Sequence, residues 1–491
     1  MSDYGSDAED ETETTCANVR PPPSVHAFVS IFCDSRSWLA RAPKTSKTSD
    51  PPVRGAPRLR SALSSSGLAV ISSDESSPGP SPHRSPRSST STRSPPRLPT
   101  VRAPSCPDHT HPAFLTLVSR FIRPVGSLLP RRSNRPDLRL RNLFQSPAEA
   151  LAVALAACKP GAKIVDICNL GDKTVEEEAA KFYNKKDKDG NKIEKGIAFP
   201  TCISVNHQVC HNSPPSDDAT VLEEGQAVKI DLGAHVDGYV ATVAHTVVLM
   251  GDMNAPVTGA QADVMKAVVT AGEAAIRKLR PGVNNSEVAK AIGRVAEDFG
   301  VRVVEGVLSH NMKRYVIDGN KVILNKPSAE LKADEAEIKL NEVYALDIVM
   351  SSGEGTPKML DEKETAVYKR AVENNYKLKM QASRAVFSEI QKRFPTMPFS
   401  MRAMEGIKGA KLGLVECCTH ELLHKYPVLY EKPGDAVAHF KATVLVMQNG
   451  NDRITTWTCQ PVESALELTD EELKELITQP LKSKKKKKPK A

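Results

Sequence analysis

The chain has 491 residues, with 67 Lys+Arg against 59 Asp+Glu, a formal charge of +8; at about 100–200 residues per domain this length allows two to four units. The charge is uneven: residues 1–146 hold 20 basic and 12 acidic residues, the tail 482–490 adds seven lysines, and residues 147–481 are left at a net −7. No apolar run approaches about 20 residues, the acidic start MSDYGSDAEDETETT lacks the apolar core of a secretory signal, and none of the ten cysteines forms a CxxC, so membrane, secreted, zinc-finger and thioredoxin-type classes lose their support.

The cysteines therefore read as reduced thiols of a cytosolic or nuclear protein. Residues 1–146 contain 20 of the 36 prolines, and 72–107 are mostly Ser, Pro, Arg and Thr. Such a stretch buries too little apolar area to offset its ordering entropy, and it reads as a disordered Pro/Ser/Arg-rich extension. A phosphorylatable RNA-binding arm is its functional alternative.

A globular pattern starts at Pro147. AEALAVALAACKPG predicts a helix stopped by Pro160-Gly161. Thr174 followed by Glu176–Glu178 predicts the capped start of a second helix. That helix runs into a loop holding Lys181, Lys185, Lys186, Lys188, Lys192 and Lys195. Strands are expected at CISV, AVKIDLGAHV and YVATVAHTVVLM, the last two joined by an Asp237-Gly238 hairpin. Two amphipathic helices follow, with apolar faces Val264, Val268, Ala271, Ala275, Leu279 and Val288, Ile292, Val295, Phe299. VEGVLSH and VYALDIVMSS read as strands, 375–433 as a mostly helical insertion, and AHFKATVLVMQNG as a last strong strand. The alternation, with long antiparallel pairs, gives an α/β or α+β class.

Five of these blocks, FPTCISVNHQVCH, KIDLGAHVDGYVATVAHT, VEGVLSHNMKRYVIDG, VYALDIVMSSGEG and AHFKATVLVM, occur in the order found in type-two methionine aminopeptidases. The resemblance implies the pita-bread fold: a core over 147–374, an inserted helical subdomain over 375–433, last core strands over 434–480 and a poly-lysine tail over 481–491. Those enzymes hold two divalent metals between Asp, Asp, His, Glu and Glu, whose oxygens bridge the ions and activate a water. Carried over, the five positions are Asp231, Thr242, Val307, Asp347 and Lys441. Thr242 lacks a carboxylate, Val307 has no donor atom, and Lys441 puts an ammonium where a dication would stand. At about 4 Å that repulsion costs several kcal/mol at intermediate dielectric. No metal, no other cofactor and no peptidase activity are expected. His211 matches a substrate-side histidine, and a second such position falls on Tyr315. His310 enters the metal site only if the strand register shifts. An ion pair of Asp231 with Lys441, filling the old metal cavity, is the expected replacement.

This pattern of losses, with VECCTHELL, RITTWT and the lysine tail, is similar to the proliferation-associated, ErbB-receptor-binding or curved-DNA-binding protein family. The likeness covers 147–491. Residues 16–146 have no counterpart, and transcript sequencing across them separates a lineage-specific arm from retained intronic sequence. The resemblance implies a monomeric non-peptidase that binds RNA and the large ribosomal subunit near the exit tunnel. It also implies a role in ribosome biogenesis and residence in cytoplasm, nucleus and nucleolus. Phosphate contacts are expected from Lys181, Lys185, Lys186, Lys188, Lys192 and Lys195, and from the tail Lys482, Lys484, Lys485, Lys486, Lys487, Lys488 and Lys490. The rival readings are an active metallo-aminopeptidase releasing N-terminal methionine and a DNA-binding transcriptional co-regulator.

Overall fold

The computed structural model describes residues 145–184, 186, 190–328, 331–456 and 459–482. The extension 1–146 lies outside them, apart from its last two residues, as does the tail beyond Lys482.

Two helices come first, α1 (Gln145–Ala157) and α2 (Ile164–Ala180). Thr174 does not cap a helix. It lies inside α2, where its hydroxyl donates to the Leu170 carbonyl at 2.8 Å. A threonine that bonds back one turn fits a helix interior, so the acidic run after it marks no start. Strands β1 (Lys195–Val205), β2 (Gln208–Cys210), β3 (Ala227–Val236) and β4 (Tyr239–Val248) follow. The β3–β4 hairpin turns on Asp237 and Gly238, both at positive φ, as a two-residue turn between twisted strands requires.

Helices α3 (Gly259–Lys278) and α4 (Asn285–Asp298) carry the predicted apolar faces. After them come β5 (Arg302–Val303), β6 (Leu308–Met312), β7 (Val322–Leu324), β8 (Val343–Ser351) and β9 (Val367–Arg370). The insertion contributes α5 (Gln381–Arg393), β10 (Phe399–Ser400), α6 (Ala410–Thr419), β11 (Leu423–Tyr426) and β12 (Leu429–Tyr430). Strands β13 (Val437–Leu445) and β14 (Asp452–Arg453) and helix α7 (Glu471–Thr478) end the described chain.

The main sheet runs β1-β3-β4-β13-β8-β6-β7. Period-two alternation sends Ile230, Val243, Ala442 and Leu346 to one face, where they join the cores built with the two helix pairs. Phe440, on the same face of β13, packs onto α3 at Gly272: a Cβ there would lie 2.4 Å from the ring. The other face is left to the polar residues described below.

The insertion is less helical than its sequence suggests. Its helices α5 and α6 pack through Val386, Ile390, Leu414 and Cys417 onto a three-stranded sheet ordered β10-β9-β11. Two of these strands belong to the insertion and β9 precedes its expected boundary. Strands of two to four residues are too short to print a period-two signal.

Candidate functional site

The sheet register sets the site. Asp231 of β3 stands opposite Ala244 of β4, Ala244 opposite Lys441 of β13, and Lys441 opposite Asp347 of β8. Residues in one such row share a face, and a small alanine between them lets the lysine reach across β4. The Lys441 ammonium donates to Asp231 Oδ2 at 2.6 Å and lies 2.9 Å from Asp347 Oδ2. It also sits 5.2 Å from the Phe199 ring centre. The ion pair expected at this position is therefore present, with a second carboxylate added to it.

Charge balance follows from this geometry. Burial pushes Lys441 down, but the two carboxylates outweigh it and hold the ammonium above its ordinary range. Burial also pushes Asp347 up, yet Lys441 and His439 hold it well below the usual carboxylate range. Burial wins at Asp231, whose carboxyl is raised against the pull of Lys441, and whose Oδ1 is buried without a hydrogen-bond partner.

His439 was not singled out by the sequence. Its Nε2 is 2.6 Å from Asp347 Oδ1. It lies two residues before Lys441 on β13, so strand alternation alone places both on one face. Thr242, at the lost second carboxylate, sits instead in a hydroxyl network: its N–H donates to Thr443 Oγ1 at 2.8 Å, and its carbonyl accepts from Thr443 and Thr455 at 3.1 and 3.0 Å.

Lys441, Asp347, His439 and Thr242 line a cavity of about 740 Å³. Phe199, His211, Val307, His310, Asp318 and Tyr426 line it too. His211 adopts φ 67, in the left-handed region rarely used by L side chains. Its Nδ1 lies 3.1 Å from the Pro427 carbonyl, and burial lowers its pKa to about 4.

One carried-over position sits differently from expectation. Tyr315 is not in the cavity wall. It packs over the β3–β4 turn, where its ring excludes any Cβ at Gly238, and its N–H donates to the Gly238 carbonyl at 2.8 Å. The turn 313–316 that follows β6 carries it there. Asp318, three residues later, lines the cavity and pairs with Lys369. Val307 does reach the wall, and so does His310, again three residues later, with Asp347 and Lys441 in its electrostatic surroundings. The cavity thus collects His310, expected there only with a shifted register, and Asp318, which the sequence reading did not name.

A metal centre does not fit this arrangement. The ammonium occupies the space between Asp231 and Asp347, and Thr242 and Val307 offer no carboxylate or imidazole. Among the described residues no group of three or more His, Cys, Asp or Glu side chains can hold an ion.

The candidate phosphate ligands divide. Lys181 pairs with Glu178. Lys195 donates to the Ala180 carbonyl at 3.2 Å, to the Phe182 carbonyl and to Asn184 Oδ1 at 2.5 Å, closing the C-terminal end of α2. Lys195 is spent inside the fold, whereas Lys181 stays exposed with its ammonium against Glu178 in a surface pair. Lys186 and Lys192 are exposed. Lys185, Lys188 and the tail lysines from Lys484 onward lie outside the described residues. Lys482 pairs with Asp452 at 2.6 Å.

A second buried charge pair ties the insertion to the core. Arg402 donates to Asp172 Oδ2 at 2.7 Å, to Ser213 Oγ and to the Pro214 carbonyl at 2.9 Å each, while Asp172 Oδ1 accepts from the Thr201 N–H at 2.7 Å. Sequence reading had no signal for a contact spanning 230 positions.

Comparison with known proteins agrees with this geometry. Residues 173–355 match metallopeptidase family M24. ErbB-3 binding protein 1 of Solanum tuberosum is 53% identical over 348 residues, covering 70% of this chain and 88% of that protein. The curved DNA-binding protein of Schizosaccharomyces pombe is 38% identical over 340 residues, covering 67% of this chain and 86% of that protein. The solved structure of a thermophilic Arx1 superposes with a TM-score of 0.65 at 29% identity, covering 72% of this chain and all of that one.

Proposed function

The chain belongs to the family of ErbB-3 binding protein 1, proliferation-associated protein A and curved DNA-binding protein, built on the pita-bread fold of the M24 metallopeptidases, and on that premise we propose that it is a non-peptidase scaffold that binds RNA and the large ribosomal subunit. One observation carries the loss of peptidase chemistry: Lys441 bridges Asp231 and Asp347 where a dinuclear centre would need those oxygens. No bridging water can be activated by an ammonium that is already saturated with carboxylates.

The partner reading rests on family membership and on lysine placement. Exposed Lys186, Lys192 and the tail 481–491 neutralise phosphates without reading sequence, so affinity falls steeply with salt. The folded body between the basic ends is acidic, net −7 over 147–481. It is therefore the local clusters that do the binding. Ribosome biogenesis near the exit tunnel, a monomeric state, and residence in cytoplasm, nucleus and nucleolus belong to the same proposal. DNA is the second reading, favoured by the name of the fission-yeast relative.

Two measurements test it. Calorimetric titration of the purified chain with Co²⁺ or Mn²⁺, paired with a methionyl-peptide release assay, should give neither binding at the site nor turnover. Metal-dependent release of methionine would reject the scaffold reading. Co-sedimentation with ribosomes at rising salt, for the intact chain and for one truncated before Leu481, should show association that weakens with salt and with loss of the tail. Absence of association at low salt would reject the ribosome partner, and preferential binding to duplex DNA would favour the second reading.

A further inference from the structure

We propose that the insertion carries a stacking platform for unpaired nucleotides, formed by the rings of Tyr376 and His420; this deepens, and rests on, the RNA-binding reading above. The insertion differs in charge from the body that holds it. Residues 375–433 contain ten Lys+Arg and five Asp+Glu, a net of +5 within a body of net −7. Four of the ten, Arg402, Lys411, Lys425 and Lys432, pair with carboxylates outside the segment, while Lys377 and Lys379 are exposed and can meet a phosphate backbone.

It is also where apolar surface is left open. Of the twelve large hydrophobic side chains exposed among the described residues, Val372, Tyr376, Met380, Leu412 and Val415 cluster in or beside this segment. Tyr376, 40% exposed, is the one aromatic residue among the twelve. Its ring lies on that of His420, with centroids 3.7 Å apart and planes 15° from parallel.

The pair is held rigidly. His420 ends helix α6, so its backbone position is fixed by the helix. Asn374 Nδ2 donates to the Glu421 carbonyl at 2.8 Å, and Arg384 donates to the Leu378 and Lys379 carbonyls at 3.1 and 2.6 Å. Leu378 itself is buried in the insertion core. Exposed Lys377 and Lys379 follow the ring in sequence. A rigid, half-open aromatic face beside two cations matches the chemistry of single-strand binding: every base has a π-face, and the lysines take the backbone. A base inside a duplex has no free face to offer, so the platform selects unpaired nucleotides.

The test is fluorescence anisotropy of the full chain with labelled 12-nucleotide oligo(U), oligo(A) and oligo(dT), and with a duplex RNA of the same length. Single strands should bind more tightly than the duplex. Tyr376→Ala should weaken single-strand binding about 5- to 100-fold, whereas Tyr376→Phe, which keeps the ring, should bind as the parent does. Lys377→Gln with Lys379→Gln should lower the slope of log affinity against log salt by about 1.4. Comparing oligo(U) with oligo(dT) separates RNA from DNA as the source of the strand. Thermal melts of each variant exclude misfolding as the cause. The proposal falls if no oligonucleotide binds, or if Tyr376→Ala binds single strands like the parent. It also falls if Leu412→Asp with Val415→Asp abolishes ribosome association while Tyr376→Ala is silent, since the face would then dock protein. Ribosome co-sedimentation run in parallel keeps the two readings apart: oligonucleotide binding without ribosome association would reject the ribosome partner and leave the platform standing.

Discussion

Lysine does opposite work in the sheet and in the insertion. On β13, Lys441 is 6% exposed and its charge is consumed by two carboxylates and an aromatic face. In the insertion, Lys377 and Lys379 stand in solvent beside an open ring. Lys229, two residues before Asp231 on β3, is a third case: it is 1% exposed, its ammonium donates to the Asn206 carbonyl at 2.6 Å, and burial lowers its pKa to about 7. The lesson is that a lysine's role follows from its neighbours. Where carboxylates surround it, the charge is structural; where they are absent and water is present, the charge is available to a partner.

Acid should strain this contrast most. Burial lowers His211 and His235 to about 4 and His245 to about 3; His235 and His245 are buried and His211 lines the cavity. Each is neutral when folded but protonates near pH 6.5 when unfolded. The unfolded state therefore binds more protons as pH falls below 6.5, and stability declines down to about pH 4. Each group contributes about 1.4 kcal/mol per pH unit over that window. Urea denaturation between pH 7 and 5 should show the drop, and a flat profile would mean that these histidines are already charged in the fold.

Removing the buried ammonium should come next in size. Lys441→Met leaves Asp231 and Asp347 buried and facing each other, at a cost of about 3–5 kcal/mol by chemical denaturation. A loss under about 1 kcal/mol would put Lys441 in the same class as the surface lysines and erase the contrast. Arg402→Met tests the link between the two regions. It strands Asp172, and the expected loss is about 2–4 kcal/mol, with faster proteolysis of the insertion than of the sheet. The smallest effect separates two lysines of one loop region. Lys195→Met should cost about 1 kcal/mol through the lost end of α2 and leave RNA affinity unchanged. Lys192→Gln should leave stability unchanged and reduce the salt dependence of binding.

Much of the fold was legible because it is local. The Asp237-Gly238 turn, the apolar faces of α3 and α4 and the β-branched runs of β3, β4, β8 and β13 each signal themselves within about a dozen residues. The Asp231–Lys441 pair was legible because two charged residues had replaced or outlived metal ligands at matching positions. What escaped was non-local. Arg402 meets Asp172 from a distant part of the chain, and His439 meets Asp347 only through the β8–β13 register. That Asp318, and not Tyr315, lines the cavity depends on the turn after β6, which block matching does not see. Thr174 misled because a threonine before acidic residues looks the same whether it caps a helix or rides within one.

The row of Asp231, Ala244, Lys441 and Asp347 also bears on how this lineage can change. Lys441→Glu alone brings three carboxylates together with no cation among them. Thr242→Asp alone adds an acid beside a lysine that is already saturated. Each single step toward a metal centre is thus less stable than the starting point, and a dinuclear site returns only if several changes and the ions arrive together. While Lys441 stands between Asp231 and Asp347, the space a dinuclear centre would need stays filled.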